Sequence, residues 1–243
     1  MYTECIGLQI EGEMDHEPCY KDEYVTLYNC DSLEIKDVFS SADVLFLDPP
    51  FDIWKYHEPW DFENKVCFTN WQNRSFVESA YGRPRSELIW HFKDGRWVSH
   101  NLPRITHESI LVYGKTDSVY VGELNKDRTP RSKGFGCVGR DRMAKRIYKP
   151  KERKALNSVL EYPRNVSGIM GCWGKPVELI KDLLYWLKPN IIADPFAGGC
   201  SIAVAARELG IKTVACESDP ETCQKAIKRL KETRCLVFKD SAL

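Results

Sequence analysis

The chain has 243 residues, 43% of them hydrophobic, and its 35 basic and 35 acidic residues cancel to a formal net charge of zero. That length suits one large domain or little more, and the apolar content excludes a chain disordered throughout. No run approaches the roughly 18 apolar residues of a membrane span. The start "MYTECIGLQIEGEMD" also lacks the features of a signal peptide, so a reduced, soluble, cytoplasmic protein is expected.

The zero net charge hides an asymmetry. Residues 1–24 carry seven acids and one base, and read as a solvated acidic extension. Residues 126–154 carry twelve Lys and Arg against three acids, and read as an inserted, partly irregular segment. The ten cysteines form no C-x-x-C pair and show no ligand spacing, so neither a disulfide framework nor a metal site is expected. Cys67 and Cys216 lie in apolar runs, where a thiol packs as a small hydrophobe.

In chain order, "YVTLYN" (24–29) reads as a strand and "CDSLEIKDVFS" as a short helix or turn leading to a strand at Val44–Leu47. "KVCFTNW" is a further strand, and "NRSFVESAYG" a helix closed by Gly82. "SELIWHF", a turn at Lys93-Asp94-Gly95, "RWVSHN" and "ESILVYGK" read as successive strands. His91, His100 and His107 lack ligand spacing, which favours structural roles. From Val177 the pattern is regular. Ile180, Leu183, Leu184 and Leu187 mark a helix with Pro176 in its first turn. "NIIAD", "PFAGGCS", a helix over Ile202–Leu209 stopped by Gly210, "KTVACE" and a last helix then imply right-handed parallel crossovers.

Two strand ends carry chemistry. In "VLFLDPPFDIW" the consecutive prolines cannot donate to a ladder, so the strand stops near Leu47 or Asp48 and presents an acid and an aromatic ring at the sheet's carboxyl edge. In "DPFAGGCS" (194–201) a Gly-rich turn joins a strand to a helix, and Glu217 ends the next strand, where an acid can accept hydrogen bonds from both hydroxyls of a ribose. Each feature also has a bland reading, as a capped strand end or a tight βα connection. No Lys-Ser or Lys-Thr follows the glycines, so the turn is not a Walker A loop. Trp54, Tyr56, Trp60 and Phe62 after the prolines suit either a base pocket or packing.

The order of these motifs, "DPPF" before "KPVELIKDLLYWLKPNIIADPFAGGCS" and "ACESDPETCQKAIKRL", resembles the permuted, β-class amino-methyltransferases of DNA. The resemblance implies a Rossmann-like α/β fold, a mostly parallel doubly wound sheet with circularly permuted motif order and an inserted target-recognition region. It divides the chain into an extension (1–23), a catalytic half (24–114), a target-recognition insertion (115–171) and a half that binds S-adenosylmethionine (172–243). It implies Asp48, Pro49, Pro50 and Phe51 as catalytic residues. Asp31, Lys175, Pro176, Asp194, Phe196, Gly198, Gly199, Cys200, Ser201 and Glu217 would bind the cofactor. In the basic segment, Arg128, Arg131, Lys133, Arg140, Arg142, Lys145 and Arg146 would contact double-stranded DNA.

Two departures from the family's pattern stand out. Its cofactor turn usually reads G-x-G, so a Cβ at Cys200 is expected to crowd the cofactor; its usual Tyr is Phe51 here, which keeps the stacking face. The chemistry suits these residues. An exocyclic amine has its lone pair delocalised into the base, and Asp48 with the Pro49 carbonyl can each accept one amine hydrogen and free that pair. Asp in the first position resembles the adenine-N6 enzymes, in a bacterial cell or a phage-infected host, with a homodimer and a cognate restriction endonuclease as the associations to test. The alternatives are cytosine-N4 or RNA methylation, or a catalytically silent nucleic-acid-binding subunit.

Overall fold

The computed structural model describes residues 16–56, 58–96, 99–115, 120–124, 153–164 and 174–233. Eleven strands appear in chain order: β1 (Tyr20–Lys21), β2 (Val25–Tyr28), β3 (Val44–Leu47), β4 (Lys65–Thr69), β5 (Ser86–Arg96), β6 (Ile105–Tyr113), β7 (Tyr120–Leu124), β8 (Arg153–Ala155), β9 (Val159–Glu161), β10 (Ile191–Asp194) and β11 (Lys212–Cys216). The α-helices are α1 (Arg74–Tyr81), α2 (Val177–Leu187), α3 (Ser201–Glu208) and α4 (Pro220–Glu232), with 3-10 turns over Ser32–Ser41 and Trp54–Tyr56.

Nine strands form one sheet in the order β1-β2-β11-β10-β3-β4-β6-β5-β9, while β7 and β8 pair as a separate antiparallel ribbon. β2, β11, β10, β3 and β4 run parallel, and β6 is antiparallel to both β4 and β5. The two halves therefore interleave: β10 and β11, late in the chain, lie between β2 and β3. From β10 the chain crosses to β11 in one direction, and from β3 to β4 in the other. β10 and β3 thus flank the switch point of a doubly wound sheet, where a crevice opens outside the carboxyl ends of the strands. Asp43 fastens this junction, its carboxylate accepting the amides of Asn190 (2.6 Å) and Ile191 (3.0 Å).

Alternation along each strand sends side chains to opposite faces. Val44 and Phe46 of β3 join Val66, Phe68, Ile110, Val112 and Ile192 against Leu179, Ile180, Leu183 and Leu184 of α2 and Ile202 of α3. Leu45 and Leu47 face the other way, with Ile35, Phe39, Trp54, Trp60, Cys67 and Val77. A third cluster packs Val25, Leu27 and Ala215 under α3 and α4. The helix periodicity read from the sequence is the one that buries α2, and Cys67 and Cys216 are buried as the apolar runs imply.

Two expectations change. Lys93-Asp94-Gly95 does not turn the chain: β5 runs on to Arg96, with a register irregularity against β6 between His91 and Arg96. Gly95 serves close approach there, since a Cβ would stand 2.8 Å from Thr106 Cγ2 and 3.1 Å from the Ile105 carbonyl. Nor is the acidic start solvated up to residue 23. β1 pairs antiparallel with β2, and Asp22 caps the amides of Tyr24 and Val25 while pairing with Arg207 at 2.8 Å. Pro176 caps the start of α2 as the sequence suggests, its carbonyl accepting the Ile180 amide at 3.2 Å. No helix among the described residues is long and apolar enough to cross a membrane.

Candidate active site

The prolines act as expected at β3: the strand ends at Leu47, and Asp48 follows on the face that carries Val44 and Phe46. On that face α2 begins, and Lys175 just before it reaches under the sheet edge. Its ammonium lies 2.7 Å from Asp48 Oδ1 and 3.4 Å from Glu108 Oε2, over the rings of Phe68 (5.1 Å) and Trp90 (5.8 Å). The Lys175 side chain is 6% exposed, Glu108 16% and Asp48 19%, so three charges share a nearly closed site. Burial disfavours the Lys175 charge, but Asp48 and then Glu108 outweigh it and raise the pKa of the ammonium. Burial pushes the Asp48 carboxyl up to about 6, Lys175 opposing and Glu108 adding to the rise. Lys175 occupies Oδ1, which leaves Oδ2 for a substrate hydrogen.

Pro49 is buried, and Pro50 turns the chain by accepting the amide of Ile53 at 2.9 Å. Phe51 stands at the rim, 37% exposed, and its carbonyl accepts a hydrogen bond from the Asn73 side chain ahead of α1. The aromatics beyond it divide. Trp54 and Trp60 are buried in the core, with Phe62 packed against them, and Trp60 meets Phe39 edge-on at 5.4 Å. These three are packing aromatics, and the Tyr56 side chain lies outside the described residues. Trp71, in the turn after β4, is instead 66% exposed.

The second strand end is β10. Asp194 is fully buried, and its carboxylate has no well-formed hydrogen bond, only a weak one from the Phe196 amide. Burial, with the charges of Asp48 and Glu217, raises its carboxyl to about 8 despite the Phe196 amide. Glu217, at the end of β11, accepts the Gly198 amide at Oε2 and the Asp219 amide at Oε1, both at 2.8 Å. It thus holds the Gly turn as well as presenting a carboxylate. Gly198 has φ 49°, and a Cβ built there would meet nothing within 4 Å, so open space adjoins the turn. Arg229 of α4 clamps the turn from behind, donating to the Gly199 carbonyl (2.6 Å) and the Ser201 hydroxyl (3.0 Å). Asp31, at the carboxyl side of β2, is exposed and caps the 3-10 turn through the Leu33 amide.

Cys200 keeps the turn without a glycine. It adopts the left-handed conformation (φ 55°, ψ 35°) that a glycine would supply, and its side chain is fully buried with Val25, Leu27, Ala203 and Cys223. The thiol belongs to the core beneath the turn, and burial keeps it protonated. Arg128, Arg131, Lys133, Arg140, Arg142, Lys145 and Arg146 all lie outside the described residues.

Sequence reasoning missed Glu108, Asn73 and Arg229. Glu108 had a legible signal, an acid in phase with the buried Ile110 and Val112 of β6. Asn73 and Arg229 had none, because their partners, the Phe51 and Gly199 carbonyls and the Ser201 hydroxyl, are distant in sequence. Among the described residues His16, Cys30 and Glu34 also bring ligand-type atoms within 4.8 Å, at the surface, where His16 and Glu34 lie 3.4 Å apart.

An acidic pair at the β3 and β10 ends, a Gly turn, and a strand-end carboxylate around a switch-point crevice define a doubly wound α/β enzyme that takes a nucleoside-bearing cofactor. A family profile described as DNA methylase (N6_N4_Mtase) matches residues 78–228, more than half of the chain, and the chain belongs to that family. It is a DNA methyltransferase of the N6/N4 class, with S-adenosylmethionine as methyl donor. Solved structures share the fold. A complex of M1.HpyAVI with SAM is 20% identical, with a TM-score of 0.58 over 85% of this chain and 98% of that one. The PvuII DNA methyltransferase, described as cytosine-N4-specific, is 14% identical, with a TM-score of 0.60 over 94% and 91%. TTHA0409, a putative DNA modification methylase from Thermus thermophilus, is 15% identical, with a TM-score of 0.53 over 87% and 96%. A search of curated proteins found no match.

The described residues fit the cofactor. Asp194 offers a buried carboxylate with acceptor capacity to spare, Glu217 a carboxylate at the strand end, and Gly198 the open space beside its turn.

Proposed function

We propose that the protein methylates N6 of adenine in duplex DNA, on a base rotated out of the helix. The observation that carries this reading is the half-committed carboxylate of Asp48: Lys175 holds Oδ1 at 2.7 Å, and the side chain keeps 19% exposure three residues before the exposed ring of Phe51. The cofactor supplies an electrophilic methyl group on a sulfonium. Phe51 stacks on the base, which offsets the few kcal/mol of unstacking it from the duplex. Asp48 Oδ2 and the Pro49 carbonyl accept the two amine hydrogens, drawing the nitrogen toward tetrahedral geometry with its lone pair toward the methyl. Nitrogen gains the methyl as the carbon–sulfur bond breaks, and it then loses one proton, for which Asp48 is the nearest acceptor. Asp194, Gly198 and Glu217 hold the donor, with Asp31 and the Lys175-Pro176 step at the margin of the same edge. Within 115–171, β9 belongs to the main sheet and packs Leu160 into the core; the basic stretch 126–154 reads the target, contacting phosphates and base edges.

Cytosine-N4 methylation is the second reading, favoured by the fold shared with the PvuII enzyme. Transfer of labelled methyl to DNA, followed by nucleoside analysis, separates the two: N6-methyladenine is expected, and N4-methylcytosine would replace it. Asp48→Ala should abolish transfer while cofactor and DNA binding persist within a few-fold. Binding lost in proportion to rate would make Asp48 a structural residue.

A further inference from the structure

Methyl transfer as proposed asks Asp48 for a strong acceptor, yet the carboxylate is in contact with a buried ammonium. A closed Asp–Lys pair is a neutral dipole, and an acceptor already sharing a full positive charge holds an amine hydrogen weakly. Glu108 changes that balance. It comes from β6, two strands away from β3, and its Oε2 is buried 3.4 Å from the Lys175 ammonium without a hydrogen bond of its own. Lys175 needs no second carboxylate to be neutralised, because Asp48 already pairs with it at 2.7 Å. Burying an extra acid is unfavourable unless something depends on it.

We propose that Glu108 is a positioning residue for the methyl transfer: by drawing the Lys175 ammonium toward itself, it keeps Asp48 a strong acceptor and gives the pocket a net negative charge. The proposal rests on Asp48 acting on the amine. The net charge suits the reaction, because positive charge enters on the sulfonium and passes to the amine nitrogen. Among the described residues, the charged groups acting on Asp48 are Lys175 before α2, Glu108 on β6 and Asp194 at the end of β10, with Glu217 acting on Asp194. The rings of Phe68 (5.1 Å) and Trp90 (5.8 Å) flank the ammonium beside its two acids.

Glu108→Gln tests this, since the amide keeps the shape and removes the charge. Lys175 should then turn fully to Asp48. In the ligand-free protein the Asp48 carboxyl, followed by carbon-13 NMR, should titrate at lower pH than in the parent. At pH 8 kcat should fall roughly ten- to hundred-fold, with the dissociation constants for S-adenosylmethionine and DNA within two-fold, and its acid limb should shift with Asp48. Glu108→Asp should recover part of the rate. An unchanged Asp48 titration in the Gln variant would overturn the proposal, as would a lower kcat accompanied by equal losses in binding or melting temperature. The titration needs no substrate, so it decides the role of Glu108 even if the methylated base proves to be cytosine.

Discussion

Replacing Asp194 with Asn should change how the stability of the protein depends on pH. The carboxyl is fully buried, and its folded value of about 8 lies about four units above the ordinary 3.8. A group whose folded pKa is raised stabilises the fold while protonated, and loses that contribution as pH rises through the folded value. Between about pH 4 and pH 8 the folded chain therefore binds roughly one proton more than the unfolded chain, a slope of about 1.4 kcal/mol per pH unit. From pH 5 to pH 8 the parent should lose about 3–4 kcal/mol through this residue alone. Asn does not titrate, and its buried amide is no worse partnered than the protonated carboxyl it replaces. The variant should thus lie within about 2 kcal/mol of the parent at pH 5 and be clearly the more stable protein at pH 8. Urea melts at pH 5, 6, 7 and 8 measure this. With a slope of about 1–3 kcal/mol per molar urea, the difference in midpoint between variant and parent should move by roughly 1 M or more across that range. Asp48 titrates in both proteins and largely cancels. Parallel curves would refute the reasoning, showing that Asp194 is solvated or paired in solution. Binding of the cationic cofactor near Asp194 should also release up to one proton at pH 7 in the parent and less in the variant, read by calorimetry in buffers of different ionisation enthalpy.

Other outcomes follow from the same geometry. Phe51→Ala should reduce kcat/KM roughly ten- to hundred-fold, the scale of one lost base–aromatic stack, while Phe51→Tyr should cost far less; equal damage from both in steady-state assays would remove the stacking role. Glu217→Ala should weaken S-adenosylmethionine binding by roughly ten- to hundred-fold, since it deletes an acceptor and also releases the Gly198 and Asp219 amides. Calorimetry showing unchanged affinity would take Glu217 out of the cofactor site. Cys200→Gly should leave cofactor affinity within about two-fold, because the thiol lies in the core. Relief of about 1–2 kcal/mol at φ 55° should nearly offset the lost burial and the added backbone freedom, leaving stability within about 1 kcal/mol. A ten-fold tightening would place the Cys200 side chain against the cofactor after all. The acid limb of kcat should fall near pH 6, where Asp48 takes up its proton, and a limb near the ordinary carboxylate range would show that the pocket does not desolvate it.

What could be read along the chain was local. Prolines 49 and 50 end a strand whatever surrounds them, because they cannot donate to a ladder. The spacing of Ile180, Leu183 and Leu184 buries one face of a helix, and the succession β10, α3, β11, α4 requires parallel crossovers. The order of the motifs carried the family for the same reason: each is a short run whose chemistry does not depend on distant partners. What depended on distant partners was settled only by the fold. Strands from opposite ends of the chain interleave, so Asp48 and Asp194 become neighbours at the switch point. Glu108 reaches Lys175 from another strand, and burial, which no single position displays, moves the carboxyls of Asp48 and Asp194 upward. Cys200 shows the division most plainly. Its departure from glycine is visible in the sequence, but whether its side chain meets ligand or core depends on the direction of one Cα–Cβ bond, and that is set by the turn, the packing of α3 and α4, and the clamp of Arg229.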